Sequence, residues 1–335
     1  MSLTALLLCG TAIQAAEPTP PTGINLEGVA YPREVSWFAF EDQRQPLRMA
    51  YMDAGPADDA EDLGQTVLLL HGKNFNGAYF GQTIDQLTEA GYRVIAPDQV
   101  GFGKSTKPGS YQYTFHGLAK NTAALLDHAG AEDVIVLGHS MGGMLATRFA
   151  LDYPQRTEAL VLLNPIGLED WRRFGVPYQS ADEWYQSELK KSAEGIKAYQ
   201  LESYYDGQWD PAYDRWVDLL AAPLQSPDYP RLAWNQALTY EMIFAQPVVY
   251  EMDRLTMPTL LILGTRDRTA LGKNLVSAEV KAEMGRYDRL GDEVVKQIPE
   301  GTLIELEGLG HLPHIEAFDR FWAALSPWLD EQSGE

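Results

Sequence analysis

A serine that attacks a carbonyl needs a turn that presents its hydroxyl, a base to take its proton and an acid to orient that base, because a free hydroxyl is barely ionised at neutral pH. Gly138-His139-Ser140-Met141-Gly142 meets the first requirement. It follows an aliphatic run at residues 134–137 and leads into a helical stretch that begins Gly143-Met144-Leu145. The glycines two positions either side of Ser140 permit a sharp strand-to-helix turn where larger side chains would collide with neighbouring elements. A helix N-terminus beneath Ser140 adds a positive dipole end where an oxyanion would develop.

For the base there are six histidines: His71, His116, His128, His139, His311 and His314. His311 lies in Gly308-Leu309-Gly310-His311-Leu312-Pro313, just after the last strand-like run, where a glycine-flanked loop can carry an imidazole over a sheet edge. His314 is its rival, with a helix-start role as the alternative. For the acid, Asp267 closes Gly264-Thr265-Arg266-Asp267, directly after another aliphatic run. A helix cap at Asp267 and a solvated loop at His311 are the plain alternatives, yet neither accounts for all three candidates following strand ends. A fourth element is Leu70-His71-Gly72-Lys73-Asn74-Phe75. The glycine there lets the backbone turn an N–H toward a substrate carbonyl, which assigns the oxyanion donors to the amides of Lys73 and Met141. Asn74 and Phe75 are candidate substrate-binding residues. The Lys73 and Asn74 side chains divide between substrate contact and ordinary roles as a solvated lysine and a loop-stabilising asparagine, while His71 is expected to orient the loop.

Other chemistries find no support. Gly101-Phe102-Gly103-Lys104-Ser105 ends like a phosphate-binding loop, but the full motif would need glycine where Asp98 stands. No H-E-x-x-H cluster or dinucleotide fingerprint is present. The single cysteine, Cys9, excludes a disulfide framework, a thiolate zinc site and an iron–sulfur cluster. No cofactor or metal is therefore expected. With 26 Lys+Arg against 47 Asp+Glu the net charge is −21, which argues against nucleic acid and anionic membranes as partners.

The elements that must position these residues are legible as short aliphatic runs. Residues 35–40 and 47–52 alternate like a half-exposed hairpin, and runs at 66–70, 93–96, 134–137, 159–163, 259–263 and 303–306 follow. The first five of these six are nearly continuous, the mark of strands covered on both faces. Helical spacing between them, as at Ile84, Leu87 and Ala90 or Leu118, Ala123, Leu125 and Leu126, implies a mainly parallel α/β sheet with right-handed crossovers. One interval breaks the rhythm. Residues 167–253 contain no convincing strand but hold 16 of the 36 aromatics, and carry 15 acidic against 7 basic residues, a net of −8. An aromatic-rich helical excursion at this point reads as a cap over the carboxyl edge of the strands, where open α/β sheets bind ligands. The expected organisation is a leader at 1–21, a core at 22–166 and 254–335, and the cap at 167–253. The leader has an apolar run around Leu6-Leu7-Leu8 and Ala15-Ala16 near a cleavage point, too short to span a bilayer. Despite the lack of a preceding Lys or Arg it is read as a secretory signal, which implies a periplasmic or secreted protein; a cytoplasmic leader is the alternative. No integral membrane span is expected.

Together, His71-Gly72, Pro97-Asp98 with Gly101 to Ser105, the turn around Ser140, Asp267 and Gly310-His311 resemble the α/β-hydrolase superfamily, in its capped branch. The likeness covers roughly residues 35–329, and the order Ser140, Asp267, His311 is that of the superfamily's triad. The resemblance implies an α/β-hydrolase fold with a helical cap inserted between two core strands. Similar dehalogenases and epoxide hydrolases use an aspartate as nucleophile, so Ser140 favours an acyl-enzyme path and a small to medium, neutral apolar or aromatic carboxylic ester as small-molecule substrate. Carbon–carbon (diketone) hydrolysis, amino-terminal peptidase activity and cofactor-free perhydrolysis are open alternatives on the same residues. A non-catalytic receptor is disfavoured by the intact set. The Lys73-Asn74-Phe75 sequence departs from commoner members of the superfamily.

Overall fold

A computed structural model describes residues 22–333, so the leader read at residues 1–21 lies outside the described residues. The chain builds an eight-stranded sheet from β1 (Val35–Asp42), β2 (Gln45–Ala54), β3 (Thr66–Leu70), β4 (Arg93–Pro97), β5 (Val134–His139), β6 (Thr157–Leu163), β7 (Thr259–Gly264) and β8 (Gly301–Leu306). Their spatial order is β1-β2-β4-β3-β5-β6-β7-β8. β1 pairs antiparallel with β2 and β2 with β4, and every later pairing is parallel. The hairpin closes through Gln43 and Arg44, both at positive φ, the primed geometry that matches strand twist but carries no glycine or asparagine to announce it.

Period-two alternation sends each central strand's side chains into two apolar layers. Leu68, Leu70, Val134 and Val136 face α2 (Phe115–Ala129) and α3 (Met141–Asp152), whereas Val67, Leu69, Ile135 and Leu137 face the opposite layer. That second layer holds Ile84 and Leu87 of α1 (Gly81–Glu89). Ala90, which shares their helical spacing in sequence, caps that helix and is exposed. Burying each such aliphatic side chain contributes about 1.5–3 kcal/mol, which is why the central strands read as unbroken apolar runs. Four helices lie between β6 and β7: α4 (Ala181–Glu188), α5 (Ala193–Ser203), α6 (Asp214–Ala221) and α7 (Tyr229–Ala245). The chain then adds α8 (Ala278–Glu283) and α9 (Tyr287–Val295) before β8, and α10 (Pro313–Glu316) and α11 (Phe318–Ser333) after it. No helix among the described residues is long and apolar enough to cross a membrane.

The glycine-rich segment that imitates a phosphate loop folds around an acid instead. Asp98 accepts from the amides of Gly77 and Lys104 and from the Tyr31 hydroxyl, each at 2.7 Å. Its carboxylate packs so tightly under the turn that a Cβ at Gly103 would fall 2.1 Å from Oδ2.

Candidate active site

Ser140 follows β5 immediately, at φ 58° and ψ −121°, a conformation that costs a residue with a Cβ about 1–3 kcal/mol. Its neighbours hold it there: its carbonyl accepts from Gly143 N at 2.9 Å and Ile166 N at 3.1 Å. The turn is possible because α3 lies directly against the strands. A Cβ at Gly142 would fall 2.0 Å from the Leu70 carbonyl oxygen, and one at Gly138 would fall 2.2 Å from the Gly142 oxygen. Ser140 is buried but lines a cavity of about 270 Å³.

Asp267 and His311 leave the carboxyl ends of β7 and β8 and are fully buried. His311 Nδ1–H donates to Asp267 Oδ2 at 2.6 Å, which leaves Nε2 as the ring nitrogen without a carboxylate partner. The same carboxylate oxygen accepts from Asn164 Nδ2 at 2.9 Å, and Oδ1 accepts from Thr269 N at 2.8 Å. Burial pushes the Asp267 carboxyl up, but His311 and the hydrogen bonds from Asn164 and Thr269 outweigh it and hold the group below its ordinary value. Asn164 is fixed in turn because its Oδ1 accepts from Gly264 N at 3.0 Å. Arg266 ties the acid loop to the base loop: its amide donates to Leu309 O and its Nε to Gly308 O, both at 2.9 Å. Its guanidinium also pairs with Glu316, whose Oε2 accepts from Gly310 N at 2.8 Å. Among the described residues no hydrogen bond of normal geometry joins Ser140 Oγ to the His311 ring; such bonds commonly align only when substrate is bound.

The loop after β3 abuts the serine. A Cβ at Gly72 would lie 3.0 Å from Ser140 Cβ and 3.4 Å from its Oγ. Neither the Lys73 nor the Met141 amide donates within the protein among the described residues. His71 is an orienting group: Gln99 N donates to its Nε2 at 3.0 Å and its Nδ1–H donates to Gly72 O at 2.9 Å. A relay invisible in the sequence braces the three loops. Gly72 N donates to the Tyr79 hydroxyl at 3.0 Å, Tyr79 donates to His139 Nδ1 at 2.9 Å, and His139 Nε2–H donates to the His311 carbonyl at 2.8 Å. The direction follows from its last member, since a carbonyl only accepts. Burial, with His311 and His314 nearby, drives His139 well below the usual histidine range, so it works as a neutral ring.

His314, the rival base, has no carboxylate partner. It is buried among Tyr79, Phe80, His139 and Phe321, and neither ring nitrogen has a hydrogen-bond partner among the described residues. Burial lowers it from 6.5 to about 3. Between those values the unfolded chain holds a proton at this position that the native chain refuses, so stability is full above pH 6.5 and falls as the pH drops toward 3. His314→Phe, which removes that burden, is therefore expected to gain about 2 kcal/mol over the parent at pH 5 relative to their difference at pH 7. Urea unfolding at the two pH values checks this; a difference between the proteins that does not grow on acidification contradicts it.

Asn74 and Phe75 both line the Ser140 cavity, but they also serve the fold. Asn74 Nδ2 donates to the Tyr204 hydroxyl at 2.9 Å, and Phe75 stacks on Tyr79 with ring centres 4.6 Å apart. Tyr204 in turn stacks on His311 at 4.9 Å. A second cavity of about 370 Å³ adjoins the first and shares the Lys73, Asn74 and Phe75 wall. Of the sixteen aromatics between residues 167 and 253, Trp184, Tyr199, Tyr204, Tyr229 and Tyr240 reach one cavity or both. Others pack among themselves, as Tyr205 does on Tyr213 at 3.9 Å. Asn164, Tyr79, Arg266 and Glu316 were not singled out by sequence; no local motif marks them, because each acts on a partner brought near only by folding.

Residues 65–318 match the family model described as the alpha/beta hydrolase fold. A crystal structure of a probable hydrolytic enzyme from Pseudomonas aeruginosa PAO1 is 53% identical, with a TM-score of 0.90, over 92% of this chain and 98% of that one. Lipase 1 of Psychrobacter immobilis is 26% identical over 269 residues, 78% of this chain and 76% of the lipase. A haloalkane dehalogenase of Mycolicibacterium paratuberculosis is 35% identical over 121 residues, a match that spans 36% of this chain and only 38% of the dehalogenase. With the family model matched from β3 through the base loop, and with the sheet order described above, the chain belongs to the alpha/beta hydrolase fold family.

Proposed function

We propose that this protein is a serine hydrolase that cleaves a small to medium carboxylic ester with an apolar or aromatic portion. Ser140 attacks the ester carbonyl while His311 Nε2 takes its proton and Asp267 holds the imidazole. The amides of Lys73 and Met141 bind the oxyanion of the tetrahedral intermediate. The protonated His311 then gives its proton to the departing alcohol, leaving an acyl group on Ser140. A water molecule, deprotonated by His311, attacks that acyl carbon and releases the acid. Residues 167–253 act as the cap, supplying the aromatic wall of the cavity in which the ester lies.

The observation that carries this reading is the union of a positive-φ serine with a buried histidine–aspartate pair 2.6 Å apart, all three at carboxyl ends of parallel strands. Labelling with a fluorophosphonate, followed by assay on an ester, diketone and amide panel, tests it. Ser140 is expected to take the label, esters to turn over fastest, and Ser140→Ala to lose both activities. Turnover of p-nitrophenyl esters at equal rates by the parent and Ser140→Ala would remove the serine mechanism.

A further inference from the structure

The two cavities meet at a wall that contains an unusual cation. Lys73 lines both, yet its side chain is only 7% exposed. Its Nζ donates to Gln236 Oε1 at 2.9 Å and lies 3.5 Å from the centre of the Tyr240 ring. No carboxylate stands within ion-pairing distance of it among the described residues. An ammonium has three N–H groups, and here one protein acceptor and one aromatic face serve them. Burying a cation without a counter-ion is costly, and that burial lowers Lys73 to about 7, with Glu188 pulling it back up and Lys191 adding to the fall.

The surroundings reinforce the sign of this group. The charged residues lining the larger cavity are Lys73, Lys190, Lys191 and Glu188, and those lining the smaller one are Lys73 and Lys273. Glu188 is buried and already paired with Lys191 at 2.8 Å. Basic side chains thus outnumber acidic ones four to one in the two linings, although residues 167–253 as a whole carry a net of −8. Most of that negative charge sits on outward faces, where water and salt screen it; a low-dielectric pocket focuses the field of the groups that line it. The expectation of a neutral substrate rested on the sum over the whole segment, and the lining has the opposite sign.

We propose that the Lys73 ammonium is an anion-recognition group for the substrate: the preferred ester bears a carboxylate on the portion lodged in the larger cavity, where it meets Lys73 Nζ. The proposal rests on the ester-hydrolase reading and sharpens it. The Lys73 residue then has two separate duties, its amide toward the oxyanion and its side chain toward the charged end of the substrate. A carboxylate supplies the missing counter-ion and accepts the N–H groups that Gln236 leaves unserved.

The test compares matched esters: p-nitrophenyl esters of ω-carboxyalkanoic acids against alkanoates of the same chain length, and 4-carboxyphenyl esters against their methyl-capped equivalents. The parent protein is expected to favour the carboxylate member of at least one pair by roughly 10- to 100-fold in kcat/KM, mainly through KM. Lys73→Gln keeps the backbone amide and is expected to collapse that ratio toward one, whereas Lys73→Arg retains part of it. Because the readout is a ratio within each protein, any change in oxyanion stabilisation cancels. Fluorophosphonate labelling of Ser140 in each variant verifies its fold, and where a variant does not fold the parent ratio decides alone. A parent that cleaves esters but treats both members of each pair alike, or prefers the neutral ones, overturns the proposal and leaves the ester-hydrolase reading standing. No label on Ser140 and no ester turnover overturns both.

Discussion

Asp267→Asn is expected to lower kcat for ester hydrolysis by roughly 1,000- to 10,000-fold while leaving the protein folded, because it presents His311 with the wrong partner. In the native site Asp267 Oδ2 accepts from both His311 Nδ1 and Asn164 Nδ2, and Oδ1 accepts from Thr269 N. An asparagine has one acceptor oxygen for these three donors. If that oxygen faces Thr269, the new NH2 points at His311 and forces its proton onto Nε2, where a lone pair is needed to take the serine proton. If the amide flips, its NH2 meets the Thr269 N–H instead. Asn164 cannot turn to relieve the conflict, since its own oxygen is held by Gly264 N. Stopped-flow or steady-state hydrolysis, with a thermal melt as the folding control, decides the matter. A loss smaller than about tenfold would mean that Asp267 does not orient the base.

The second large effect concerns stability. Gly142→Ala places a methyl group 2.0 Å from Leu70 O and 2.8 Å from His71 O, both backbone atoms with no rotamer to yield. Alanine is otherwise the better helix former, so propensity alone predicts a gain. Sterics win here: α3 must lift from the end of β3, at a cost of about 3 kcal/mol or more and a Tm drop on the order of 5–10 °C. Gly109→Ala, where an added Cβ meets nothing within 4 Å, is the matched control and should melt like the parent. Equal melting of the two variants would show that the helix has slack the structure does not display. Because the displaced atoms join Ser140 to the Gly72 loop, the folded fraction of Gly142→Ala is expected to label slowly as well.

What could be read without a structure was placement. Near-continuous aliphatic runs mark buried parallel strands, and a residue that follows such a run must emerge at a carboxyl edge; Ser140 and Asp267 do so, while His311 follows the shorter, half-buried run of β8 and emerges at the same edge. The bond from His71 to its own loop was legible too, since a histidine at a strand end beside a glycine can turn back on it, whereas its second partner, the Gln99 amide, lies 28 positions away. The remainder depended on distance in sequence. Tyr79 meets a ring 60 positions away, and Asn164 meets Asp267 across 103. No periodicity encodes either meeting. Total charge and lining charge differ in an instructive way: counting residues 167–253 gives an average over a surface, whereas the groups that line the cavities are few and mostly basic. The Lys73 side chain, weighed as solvated, is buried because Gln236 and Tyr240 of α7 close over it.

The relay from Gly72 through Tyr79 and His139 to the His311 carbonyl runs entirely through the core side of the site, and includes no residue from 167–253. The relative register of the Ser140 turn, the Gly72 loop and the His311 loop is therefore inherited from the sheet and its braces. The ceiling above them, which contributes Tyr199, Tyr240 and Gln236, is a separate inheritance. Substitutions at Tyr199, Tyr240 or Gln236, unlike those at Tyr204, which stacks on His311, are therefore expected to redirect the choice of substrate without retuning the proposed reacting groups, so chains that share the lower half of this site need not share a substrate.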